Sequence, residues 1–218
     1  MTIRAKYSLI CKTALFCTAL FALGLQCGMG DAFTFEPMQR FSMLYALLTA
    51  FYYLFALIAH SRSGQVAVWF PALKLTVTVS GILTCAVVVL MLPDPYAGLS
   101  RPECISLQMA HYLLPIGTLL DWLCFDPRGV LRLTDPFLAL LPASLYTMLA
   151  WYSEYLGYSL SAPYWFLNRT ALGTSTAWSI ALGLAGGMLI VGYILYALDW
   201  LLDPGPGTKK KSGRKKSK

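Results

Sequence analysis

The sequence predicts an all-α integral membrane protein, a bundle of six transmembrane helices with both termini in the cytoplasm. Three observations predict it. Of 218 residues, 57% are hydrophobic and only 12% charged, about half the charged share of an ordinary soluble domain, roughly 25%. Six apolar runs are each long enough to cross a bilayer, which takes roughly 20 residues. The basic residues fall mostly on one side of those runs, as the positive-inside rule requires.

The spans are 8–29, 38–60, 68–92, 105–125, 136–156 and 172–202. They make residues 1–203 one transmembrane domain, followed by a disordered basic tail, 204–218. The net charge of +7 belongs to that tail. Lys209 to Lys218 hold seven of the 17 basic residues, leaving ten to balance the ten acids. Such a cluster suits an anionic inner leaflet, contributing about 1 kcal/mol per charge. It lacks interleaved aromatics, so nucleic acid is not an expected partner. Membrane lipids are, and the sequence names no protein partner.

The first run follows Arg4, Lys6 and Lys12 and so also reads as a cleaved signal peptide. The exit, Leu25-Gln26-Cys27-Gly28, lacks an Ala-x-Ala site, which favours a retained helix. With the N-terminus inside, Arg62, Arg128 and Arg132 join it on the cytoplasmic side. Only Arg40, Arg101 and Arg169 lie outside.

Pro71 fits the first turn of the third helix, where a missing N–H does little harm. Lys74 is expected to snorkel to the inner interface. The run Thr76-Val77-Thr78-Val79-Ser80 reads as a strand in water, but an open strand in a bilayer leaves its backbone unpaired, so helix is expected. Gly183 and Gly187 form a Gly-x-x-x-Gly pair suited to close helix packing. Of the six cysteines, Cys27 and Cys104 both lie near the outer face, which leaves a disulfide between them open.

The stretch from His111 to Gly129 sets the functional question. It is apolar enough for a membrane yet holds His111, Pro115 and Asp121. An ionisable group at mid-membrane costs about 2.5–3.5 kcal/mol on insertion scales, so a helix that keeps one usually uses it. His111 reads as a general base or as a buried hydrogen-bonding partner. His60, at a helix end before Ser61 and Arg62, reads as interfacial. Two histidines without His-x-x-x-His or Glu-x-x-His spacing do not predict a metal site, and no motif calls for a cofactor. Ser42, about four residues into the second span, matches His111 in depth. Asp121 lies ten residues below His111, roughly 15 Å along the helix, too far to orient the imidazole.

The pattern His111, Pro115, Asp121-Trp122, Asp126-Pro127 and Gly129 resembles the androgen-induced-protein-like family of six-helix membrane proteins, in its bacterial branch. Pro142 and Tyr146, and Pro163-Tyr164-Trp165-Phe166-Leu167 with Gly173, extend the resemblance over residues 38–173. Eukaryotic members hydrolyse fatty acid esters of hydroxy fatty acids with a Thr nucleophile and a His. The resemblance therefore implies Ser42 as nucleophile and His111 as base, with Tyr146, Tyr152 or Tyr164 lining a pocket and Asp121 as support. It also implies a bacterial plasma membrane location. Phe41-Ser42 matches the family's Phe-Thr, but the Ser-Asn that follows there is Tyr45-Ala46 here. A non-catalytic scaffold or assembly factor on the same fold is the alternative, and a small transporter reaching Asp121 through a polar cavity is the third.

Overall fold

The computed structural model describes residues 2–28, 35–63, 70–92, 94–158 and 164–203. The basic tail, Pro163, and residues 29, 68 and 69 of the predicted first and third spans lie outside them. The described residues are helical and contain no strand. Four helices are long and apolar enough to cross a membrane: α1 (Ile3–Cys27), α2 (Phe41–Ser63), α3 (Pro71–Met91) and α9 (Thr174–Leu201). This is the signature of a membrane-embedded protein. The β-branched run of α3 is helical, as the unpaired-backbone argument requires, and Pro71 occupies its first turn.

Between α3 and α9 the helices are interrupted. Residues 101–125 form a continuous helical rod in three parts: α4 (Arg101–Gln108), a π turn over Met109–Leu113, and α5 (Leu114–Phe125). Its start is fixed by a capping box, in which Ser100 and Glu103 bond each other's side chain and backbone. Pro115 explains the π turn. Having no N–H, it cannot bond the carbonyl of His111 four residues back. The Leu114 N–H reaches instead to Met109, one residue farther. π turns of this kind occur often at functional sites.

The predicted fifth span is two helices, α6 (Asp135–Leu138) and α7 (Leu141–Tyr155), with Pro136 and Pro142 each in a first turn. A short α8 (Arg169–Leu172) precedes α9. All six cysteines are free, so Cys27 and Cys104 are not joined.

Helix α1 packs chiefly along α2 and also touches α4 and α5. Its buried residues Ser8, Lys12, Leu15, Ala19, Ala22 and Gln26 repeat every three or four positions, which places them on one face. Across that face the Ser106 hydroxyl donates to the Ala22 carbonyl at 2.7 Å.

The close helix approaches use glycines other than the predicted pair. A Cβ on Gly183 or Gly187 would meet nothing within 4 Å, because both lie on an open face of α9. Gly81 instead sits where α3 crosses α5. A Cβ there would lie 2.6 Å from the Tyr45 hydroxyl oxygen and 3.2 Å from the Pro115 Cα. Gly81→Ala is therefore expected to destabilise by about 1–3 kcal/mol through overpacking, read as a lower thermal midpoint. Gly183→Ala should leave that midpoint unchanged.

Candidate functional site

Two polar centres lie inside the helices. The first surrounds the start of α2 and the π turn. A cavity of about 250 Å³ is walled by Phe41, His111, Tyr146, Trp151, Tyr164 and Phe166, with aliphatic residues of α3 and α9 completing it. Its lining is overwhelmingly apolar, and His111 brings the one imidazole to it. Phe41, Tyr146 and Tyr164 stack against one another, at centroid distances of 5.4 and 5.9 Å. The Tyr146 hydroxyl donates to the Gln39 carbonyl at 2.7 Å, which fixes the entry of α2.

Ser42 is the second residue of α2 and is buried at 1% exposure. Its hydroxyl lies beside Tyr164, and the backbone N–H groups of Phe41 and Ser42 face the same Tyr164 hydroxyl. Those N–H groups are orphans of the first helical turn, which no intrahelical carbonyl can satisfy. Arg40 immediately precedes the helix and is the charged neighbour of both His111 and Tyr164. One of its guanidinium nitrogens is buried without a partner. His111 Nδ1 lies 3.4 Å from the Tyr96 hydroxyl rather than on Ser42.

Of the predicted site residues, Tyr146, Tyr164 and His111 thus share one cavity wall, and Ser42 lies behind Tyr164. Tyr152 is exposed. Asp121 belongs elsewhere.

Asp121 is the centre of the second cluster, and it is fully enclosed. Lys12 Nζ donates to both its oxygens, at 2.9 and 2.8 Å, and to Asp126 Oδ1 at 3.2 Å. Lys74 Nζ donates to Asp121 Oδ2 and, at 2.7 Å, to the Tyr53 hydroxyl. That hydroxyl in turn donates to Asp121 at 3.0 Å. Lys74 therefore does not snorkel. Its buried ammonium finds two carboxylates nearby, with Asp126 Oδ2 at 3.9 Å. His60, in the last turn of α2, is buried at 1% exposure with Lys12 as its charged neighbour. Two cations and two anions make the centre formally neutral, which is how buried charge is tolerated.

The turn Asp126-Pro127-Arg128-Gly129 ends α5 around this centre. Asp126 turns back to Lys12, and Pro127 stops the helix. Arg128 lies over the Trp122 ring, 4.3 Å from its centroid, and donates to the Leu123 carbonyl. Gly129 takes φ of 71°, which a side chain would resist, and its N–H bonds the Asp199 carbonyl. The side chain of Asp199 accepts from the backbone of Val130 and Leu131, at 3.0 Å each. Asp121 and Asp199 therefore do different work: Asp121 pairs with lysines and Asp199 caps a loop.

No protein-family model, curated protein or solved structure matches the chain. The chemistry rests on its own residues.

Proposed function

We propose that the protein is a six-span plasma-membrane hydrolase of lipid esters, with Ser42 as nucleophile and both termini in the cytoplasm. In this reading α1, α2, α3, residues 101–125, residues 135–155 and α9 each cross the bilayer. Ser42 and His111 then lie toward the outer face, and Arg62, Arg128, Arg132 and the basic tail lie inside, in accord with the positive-inside rule. The carrying observation is the buried Ser42 hydroxyl at the start of α2, behind Tyr164 and so one side chain away from an apolar cavity with His111 in its wall.

The cavity suits an acyl chain. A carbonyl at its Tyr164 end has to displace the Tyr164 hydroxyl from the Phe41 and Ser42 N–H groups, which then suit a developing oxyanion. Ser42 attacks that carbonyl, and His111 takes its proton and returns it to the leaving alcohol. This asks His111 to turn from Tyr96 once substrate fills the cavity. Catalytic hydrogen bonds often tighten only in the complex.

A fluorophosphonate probe tests the reading on protein in nanodiscs. The wild type is expected to label. Ser42→Ala and His111→Ala should both lose labelling, and Ser42→Thr should retain it. A well-folded wild type that does not label would overturn the proposal. The Tyr96 contact of His111 favours the second reading, a non-catalytic scaffold in which that histidine only ties the outer loop to the rod.

A further inference from the structure

The inward faces of the helices carry more polar groups than the charge centre uses. On α2, Ser42, Tyr45, Thr49, Tyr52, Tyr53 and His60 fall on one face, and all six are buried. The Tyr52 hydroxyl and both ring nitrogens of His60 are unpartnered, while the Tyr45 hydroxyl has only Thr49 and Thr118 as polar neighbours and that of Ser42 only Tyr164. The neighbouring helices add the equally buried and unpartnered Ser8 of α1 and Ser80 of α3, and after α5 comes Asp126, whose Oδ2 makes no hydrogen bond and lies 3.9 Å from Lys74 Nζ. A buried polar group left unpaired is destabilising. Buried water commonly pairs such groups, and rows of them inside a membrane mark ion and proton paths.

The row is connected at both ends. At one end, His60 lies beside Lys12, and Lys74 Nζ is 5.4 Å from the Tyr52 ring centroid, so both adjoin the charge centre. In the middle, Tyr45 lies beside Thr49 and Thr118, and Thr118 is one turn before Asp121. At the other end, Thr84 is one turn beyond Ser80 and shares the cavity wall with His111. The steps from Ser42 to Tyr53 are of four residues or fewer and rise at most about 6 Å, a gap that one water bridges, while between Tyr53 and His60 the Lys12 ammonium intervenes, 6.0 Å from the Tyr53 ring centroid.

We propose that this column is a proton pathway joining the end of the bundle at Asp126 and His60 to the His111 cavity. Its charge is carried as protons on water, hydroxyl, carboxylate and imidazole groups. Each transfer breaks one O–H or N–H bond and forms the next, and no other atom moves through.

The full-length protein is reconstituted in phosphatidylcholine–phosphatidylglycerol vesicles containing a trapped pH dye, with valinomycin and potassium clamping the potential. After an external pH step, wild-type vesicles are expected to equilibrate several-fold faster than protein-free ones. Tyr45→Phe and Tyr52→Phe each keep the ring and remove one hydroxyl, and both should fall back to the protein-free rate. Ser179→Ala, on the exposed face of α9, should match wild type. A wild type no faster than protein-free vesicles overturns the proposal, as do two Phe variants as fast as wild type, all being monodisperse. No ester is present, so the result is independent of the probe-labelling outcome.

Discussion

Asp121→Ala is expected to lower stability by about 3–5 kcal/mol, the usual cost of removing one partner from a buried ion pair. The reason is local. Asp121 accepts from Lys12, Lys74 and the Tyr53 hydroxyl. Without it, two ammonium groups share Asp126, and Tyr53 loses its acceptor. The loss is a large fraction of a typical total of about 5–15 kcal/mol. Thermal unfolding in detergent, followed by tryptophan fluorescence, measures it. Joint replacement of Lys12, Lys74, Asp121 and Asp126 by apolar residues of similar volume should recover much of the loss, since buried ion pairs seldom exceed a well-packed apolar substitute. A single variant as stable as wild type would show that water reaches these charges freely.

Deletion of residues 2–28 is expected to abolish recovery of monodisperse protein. Three contacts made by α1 account for this. Lys12 supplies one of the two ammonium groups of the charge centre. The Arg4 guanidinium donates to the Cys124 and Phe125 carbonyls and so caps the end of α5. A cation there also complements the helix dipole. The Ala22 carbonyl accepts from the buried Ser106, which would otherwise be left unpaired. Recovery of folded protein beginning after Cys27 would instead support the cleaved-signal reading. Mass spectrometry of the purified protein gives the second readout, and the mature chain is expected to retain Lys12.

Hydrophobicity made the helical, membrane-embedded character legible, because a bilayer leaves an apolar run no other way to pair its backbone. Helix α3 shows this: its Thr-Val-Thr-Val run is strand-like by propensity and helical by environment. His111, Tyr146 and Tyr164 were legible as candidates and do share one cavity. The roles within the His111–Gly129 stretch were not. Asp121, Asp126 and Gly129 look like site chemistry along the chain, but they pair lysines and turn the chain after α5. Lys12 looked peripheral because it falls early in the predicted first span, and Lys74 because it is the fourth residue of α3.

The missing information was lateral. Spacing along a helix fixes depth and face, so it could match Ser42 with His111 and separate Asp121 from both. It could not say which helix each face meets. The placing of Ser8, Lys12 and Gln26 on one face of α1, and the three- and four-residue repeat of Ser42, Tyr45 and Thr49 on α2, were present to be read, yet a polar stripe gains meaning only from the stripe opposite. The sequence by itself determined the membrane as solvent, the helices and their polar faces. Only the tertiary structure decided that Lys12 and Lys74 meet Asp121, and that His111 faces a cavity beside Tyr96. A charge in a low-dielectric interior is settled by its nearest neighbours across helices, not by its neighbours along the chain.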